Sequence, residues 1–188
     1  MARDPHSGAK AGFGRDVRGA AAVEFALWTV ALTVPALSAL DLGMFAVRRM
    51  QVEQAGHAGA AAAWRLCDSA DKLPATQNCP GLAAALATAV QSTPLGANVA
   101  LGAGSPREGY YCADAGGVLR PAGAAWLLGE TPPPRPADCA AVTPASTTPP
   151  ADYIQVTVTY DYAPMFGVAS VVSLLPTEIT RTAWRRLS

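Results

Sequence analysis

The first half of the chain contains one long apolar segment. Residues 19–47 include only two charged side chains, Glu24 and Asp41. As a helix this segment would be about 44 Å long at ~1.5 Å per residue, whereas the hydrocarbon core of a bilayer is ~30 Å thick. The pattern predicts a transmembrane helix over residues 20–47, in which Pro35 removes one backbone hydrogen bond. The alternative is a buried core helix of a soluble domain.

Helical periodicity continues beyond the apolar segment. Apolar and alanine positions recur at helical spacing over residues 44–66, with an alanine-rich run at residues 58–63. The sequence therefore predicts one helix of 40 or more residues at the amino terminus. A second, shorter helix is predicted over residues 80–92, because Pro80 suits a first helical turn and Pro94 follows its end.

The last part of the chain has the pattern of a small antiparallel sheet. Residues 153–160 alternate β-branched or aromatic side chains with polar ones, which predicts a strand, and residues 177–184 are interpreted as its return strand. Residues 131–150 contain seven prolines and are expected to form a surface loop. The apolar residues 165–175 are too few to span a bilayer, so they pack on the domain core or rest on the membrane surface. The predicted fold class is α+β.

Composition and charge limit the classes of function. The chain has 14 Lys and Arg against 14 Asp and Glu, so it lacks the basic excess of a nucleic-acid-binding protein. Only 15% of the residues are charged, fewer than the roughly 25% of ordinary soluble domains. Residues 1–19 are glycine-rich and modestly basic, which favours a cytoplasmic leader, although Arg48 and Arg49 on the far side weaken that argument.

The four cysteines all follow the apolar segment. Their position indicates that residues 48–188 form a domain on an oxidising, periplasmic side. Four cysteines allow three pairings, and the short loops favour Cys67–Cys79 and Cys112–Cys139. Their spacing contains no Cys-x-x-Cys pair, so no zinc site and no cofactor are predicted.

The sequence contains no motif typical of an enzyme. It has no phosphate-binding glycine loop, nucleophile elbow or pair of carboxylates suited to acid–base catalysis, and so no catalytic residue is predicted. His57 and Cys67 could form a nucleophilic pair only with a third, orienting group, which the sequence does not indicate. We interpret His57 as an exposed helix residue.

The most informative motif lies where the apolar segment begins. A basic leader ends at Gly19, Ala20 follows, and Glu24 is the fifth residue after the glycine. If the chain were cut after Gly19, Ala20 would carry a positive α-ammonium group one helical turn from Glu24. Glu24 could then pair with that group, or with the same group on a neighbouring subunit. Alternatively, Glu24 is simply solvated or lies among lipid headgroups.

The run RGAAAVEFAL, followed by an apolar helix, resembles the amino terminus of TadE-like proteins, the minor pseudopilins of the tight-adherence (Flp-type) pilus system. The Gln51-Val52 pair, the strand VTVTY and the end TEITRTAWRR also resemble that family. The resemblance covers roughly residues 15–66 and 153–186. It implies cleavage after Gly19 by a prepilin peptidase and an assembly role for Glu24, with Phe25 where Flp pilins usually have tyrosine.

The resemblance also implies partners and a location. The partners would be the prepilin peptidase, sister pilins or pseudopilins, the pilus assembly machinery and the bacterial inner membrane. Small residues, among them Ala36, Ser38, Ala39 and Gly43, would let sister helices approach closely. The rival hypothesis is a periplasmic binding or sensing module tethered by an uncleaved signal anchor. Pilus subunit, initiator and assembly regulator all remain open within the first hypothesis.

Overall fold

One long helix forms the amino-terminal part of the protein. The computed structural model describes residues 17–167 and 170–188. The helix, α1 (Val17–Leu66), has 50 residues and continues through Pro35. A single helix of more than 40 residues is therefore present, as the periodicity predicts. Residues 1–16, which make up most of the expected leader, lie outside the described residues.

In the described residues, a small domain of two further helices and six strands follows α1. The strands form one sheet in which every pairing is antiparallel. The fold is thus α+β, with a long apolar helix leading into a domain with an antiparallel sheet. The elements are α2 (Ala75–Asn78), α3 (Leu82–Gln91), β1 (Val99–Leu101), β2 (Arg107–Ala113), β3 (Leu119–Pro121), β4 (Trp126–Leu127), β5 (Ala151–Asp161) and β6 (Glu178–Arg186).

Strand β5 organises the sheet. Along one edge, residues 153–161 of β5 pair with the whole of β6. Along the other edge, β5 pairs with β2 and then with β1. Ile154 illustrates this position, since it lies between Arg185 of β6 and Glu108 of β2. Strand β5 is the one that the alternating pattern predicts, and β6 corresponds to the expected return strand. The proline-rich residues 131–150 contain no helix or strand, in agreement with the expected loop.

The core lies between the sheet and the second half of α1. Alternate β5 residues are fully buried on the face that meets α1 and α3: Ile154, Val156 and Val158. A side-chain Cβ added to Gly59 of α1 would lie only 3.0 Å from Val156 and from Val90 of α3. The small residues of α1 therefore let the helix approach the sheet closely, and the run at residues 58–63 serves this packing.

Two disulfides attach segments between the helices and strands to the core. Cys67, directly after α1, is bonded to Cys79, with their Cα atoms 5.7 Å apart. Cys112 of β2 is bonded to Cys139 in the proline-rich loop, with a Cα separation of 5.8 Å. These are the two pairings that the short loops favour. Each one constrains a segment whose own hydrophobic residues are few.

A buried carboxylate fixes α2 against the sheet. Glu108 of β2 is fully buried, and its oxygens accept hydrogen bonds of 2.8 Å from the backbone N–H groups of Ala75 and Thr76 and from the Thr76 hydroxyl. Trp126 donates its indole N–H to the Thr76 hydroxyl oxygen at 2.7 Å. Burial raises the pKa of the Glu108 carboxyl, although its hydrogen bonds to Thr76 and Ala75 act in the opposite direction.

Candidate functional site

The residues of the amino-terminal motif lie on the first turns of α1. The Gly19–Ala20 peptide bond is in the helix, close to its start at Val17, and Ala20, Glu24 and Phe25 are exposed. A Cβ on Gly19 would meet no atom within 4 Å. Among the described residues, none therefore packs against this position.

The first half of α1 is apolar and uncovered. Every residue from Gly19 to Ala36 is exposed, including Phe25 at 74% and Trp28 at 61%. Only 11% of its most apolar 18-residue stretch is buried. The helix is long and apolar enough to cross a membrane. This half of α1 is not a core helix buried in its own domain, because the described residues of the domain do not cover it.

The two threonine side chains in this half, Thr29 and Thr33, are suited to an apolar environment. Thr29 donates its hydroxyl to the Phe25 carbonyl at 2.8 Å, and Thr33 donates to the Thr29 carbonyl at 2.6 Å. Hydroxyls bonded to their own helix need no water or partner helix. The exposed half of α1 can therefore enter lipid, or a bundle of like helices, with these two hydroxyl groups already satisfied.

The link between β5 and β6 is held against α1 by a buried aspartate. Asp41 is completely buried, and its two carboxylate oxygens accept hydrogen bonds from the backbone N–H groups of Met165 at 2.9 Å and Phe166 at 3.3 Å. The carbonyl oxygen of Asp41 also accepts from the Tyr162 hydroxyl at 3.2 Å. A single residue of α1 thus binds the link, residues 162–176, at three atoms.

Neighbouring side chains complete this attachment. The Ser38 hydroxyl oxygen accepts from the Val171 backbone N–H at 3.3 Å, and the rings of Phe45 and Tyr162 meet edge to face at 5.3 Å. Burial, with the nearby Asp41 carboxylate, raises the pKa of the Tyr162 hydroxyl. Ser38 is only 5% exposed. It therefore serves the link and is not free for the sister-helix contact expected of it.

Asp41 belongs to the candidate site, although the local sequence pattern assigns no role to it. An ionisable side chain at the end of an apolar helix is costly and requires a partner, and this signal was available for Asp41 as it was for Glu24. Its partners are backbone groups of Met165 and Phe166, 124 and 125 residues away. No side-chain pattern indicates such partners, because every residue except proline carries the same N–H group.

Removing this carboxylate should release the link. In Asp41→Ala we expect the amide protons of Met165 and Phe166 to exchange with solvent roughly ten- to a hundredfold faster, because a hydrogen bond to a charged group is worth about 1.5–3 kcal/mol. Hydrogen–deuterium exchange of the full chain in detergent micelles measures this. Glu53→Gln, at an exposed position on the same helix, is the matched control. Unchanged exchange in Asp41→Ala would show that Asp41 does not hold the link.

The other candidate side chains do not form a reactive centre. His57 is exposed on α1, as expected, and Cys67 is disulfide-bonded, so it offers no thiol to a nucleophilic pair. Within residues 17–167 and 170–188, no group of three or more His, Cys, Asp or Glu side chains is arranged to hold a metal ion. The candidate site is therefore the exposed half of α1 with the link that Asp41 attaches to it.

Comparisons with protein-family models, with curated proteins and with solved structures found no match.

Proposed function

We propose that this protein is a minor pseudopilin, an accessory component in the assembly of a tight-adherence (Flp-type) pilus, matured by a prepilin peptidase. The supporting observation is the apolar composition and the exposure of α1 between Gly19 and Ala36. This half of the helix is apolar and exposed, and it begins with a glycine that precedes a glutamate by five residues. Such a helix requires an apolar environment, which a membrane supplies before assembly and sister helices supply after it.

The proposal includes a single-pass topology in the bacterial inner membrane. Residues 1–19 form the cytoplasmic leader, residues 20–47 contain the membrane span, and residues 48–188 form the periplasmic domain. Both disulfides lie in the carboxy-terminal domain, which is compatible with an oxidising compartment. Residues 20–40 alone would extend about 31 Å at ~1.5 Å per residue, close to the ~30 Å of a hydrocarbon core.

The proposed mechanism of assembly uses a charge that processing creates. Cleavage after Gly19 converts the Ala20 nitrogen into an ammonium group, and Glu24 lies one turn further along α1. When the processed helix leaves the membrane for a bundle of sister helices, this carboxylate pairs with the ammonium group of its own or a neighbouring chain. Ala36, Ala39 and Gly43 are exposed and small, which allows the helices to approach closely.

Processing provides the first test. We expect mass spectrometry of the protein from its native host to show Ala20 as the amino terminus. Gly19→Leu should retain the leader, because a peptidase that requires a small residue before the cleaved bond cannot accept leucine there. Gly43→Leu is the matched control, since a Cβ at either glycine meets no atom within 4 Å and both lie in α1. Both variants should therefore fold, and only Gly19→Leu should remain uncleaved.

Two results would contradict the proposal. One is an intact leader in wild-type protein from cells with an active prepilin peptidase, which would favour the tethered binding or sensing module. The other is normal removal of the leader from Gly19→Leu, which would place the cleaved bond elsewhere.

A further inference from the structure

The 162–176 link presents an unusual surface. Its sequence, YAPMFGVASVVSLLP, contains no charged residue. Several of its large apolar side chains are exposed instead of covered by the domain: Met165 at 68%, Val171 at 51%, Leu174 at 84% and Leu175 at 37%. Val172, in contrast, is buried in the core and anchors the middle of the link. The link is therefore fixed on one side and leaves apolar groups uncovered on the other.

The attachment to α1 sets the level of this surface along the helix. Ser38 binds Val171 and Asp41 binds Met165 and Phe166, so the link meets α1 where the long uncharged run ends. Residues 20–40 account for about one hydrocarbon thickness at ~1.5 Å per residue. A span that begins near Ala20 therefore ends at the level of Ser38 and Asp41, which is the level of the exposed link.

We propose that the described parts of the link, residues 162–167 and 170–176, insert their exposed apolar side chains into the leaflet of the membrane from which α1 emerges. The occupant of this surface is lipid, because the apolar surface of the link is continuous with that of the exposed half of α1. This inference rests on the membrane span proposed above and does not depend on a role in pilus assembly. Burial of apolar surface is favourable, so a few aliphatic side chains that enter the hydrocarbon together hold the domain against the membrane.

The attachment of the link to α1 lowers the entropy cost of its contact with lipid. Asp41 and Ser38 form hydrogen bonds to the described parts of the link (residues 162–167 and 170–176), and Val172 is buried in the core. These parts therefore lose little chain entropy when their side chains enter lipid. The domain then has two points of contact with the bilayer, α1 and the link. Two contacts fix its orientation over the membrane, whereas a helix alone would leave it free to rotate about the helix axis.

Photo-crosslinking from defined positions tests the inference. The full chain, carrying benzoylphenylalanine in place of Leu174, is reconstituted in vesicles of phosphatidylethanolamine and phosphatidylglycerol, irradiated and examined by mass spectrometry. The same probe replaces Leu32 in α1 and Val118 in the turn between β2 and β3 as controls. All three side chains are at least half exposed, so the probe should not disturb folding: Leu32 63%, Val118 53% and Leu174 84%.

The three positions distinguish a failure of the link to enter lipid from a failure of α1 to span the membrane. We expect lipid adducts from positions 32 and 174 and none from position 118. Lipid adducts from position 32 alone would overturn the inference and leave the span intact. Adducts from neither position 32 nor position 174 would overturn the span and the inference with it. Crosslinks from position 174 to a second copy of the chain, in place of lipid, would assign the link to a protein interface and also overturn the inference.

Discussion

Glu24→Gln should leave membrane insertion and leader removal intact and abolish or strongly reduce assembly. The amide has the shape of the carboxylate and can still form hydrogen bonds, but it cannot neutralise the Ala20 ammonium group. In a low-dielectric contact this loss is large, since a charged hydrogen bond is worth about 1.5–3 kcal/mol, or roughly a ten- to hundredfold weaker association per contact. A growing assembly repeats this contact, so the deficit accumulates with each subunit.

Two measurements on the same cells separate the roles of Glu24. The first is the amount of mature protein in membranes, and the second is pilus formation or co-purification with sister subunits. Glu53→Gln is the matched control, because Glu53 is also an exposed glutamate of α1 but lies in its second half. If Glu24→Gln assembles at the wild-type level, Glu24 lies in the headgroup region and does not act in assembly. Failure of cleavage would assign Glu24 to recognition by the peptidase.

Glu108→Ala should produce the largest loss of stability. The substitution leaves the buried N–H groups of Ala75 and Thr76 without an acceptor, at about 1–3 kcal/mol each, and opens a cavity beside Trp126. We expect the free energy of unfolding to fall by about 3–5 kcal/mol. Urea titration of the oxidised full chain in detergent micelles, followed by tryptophan fluorescence, measures the change.

Two further variants define what Glu108 contributes. Glu108→Gln keeps the volume but must turn its NH₂ group toward one of the donors, so its loss should be smaller than that of Glu108→Ala. Glu178→Gln, at an exposed position on β6, should change the free energy of unfolding by less than about 0.5 kcal/mol. If Glu108→Ala unfolds at the urea concentration of the wild type, the carboxylate does not anchor α2.

The same urea titration, repeated at several pH values, gives an independent test of the environment of the Glu108 carboxyl group. Burial raises the pKa of the folded-state Glu108 carboxyl, so the folded chain binds this proton more tightly than the unfolded chain does. The contribution of Glu108 titration to stability is therefore greatest below the ordinary carboxyl pKa. It decreases as pH rises from that value through the raised one. Glu108→Gln should lack this part of the pH dependence, and an unchanged slope would contradict the direction of the shift.

Elements whose signals are local could be predicted from the sequence alone. The uncharged run and the periodicity after it predict α1 because a helix places neighbours in sequence on successive turns. The alternation in β5 predicts a strand with one buried face, and the structure buries Ile154, Val156 and Val158 on that face. Gly19 and Glu24 were found in the same way, since they lie within five residues of each other at one end of an apolar helix.

The burial of polar groups and the pairing of strands depend on contacts between residues that are far apart in the chain. Strand β2 was not predicted, because Glu108 and Gly109 interrupt its alternation, and Glu108 is buried only through donors 32 and 33 residues away. Asp41 is likewise buried by a link 124 residues further along the chain. In both cases two of the partners are backbone N–H groups. Nearly every residue carries one, so folding, and not the side-chain pattern, selects those that meet a carboxylate.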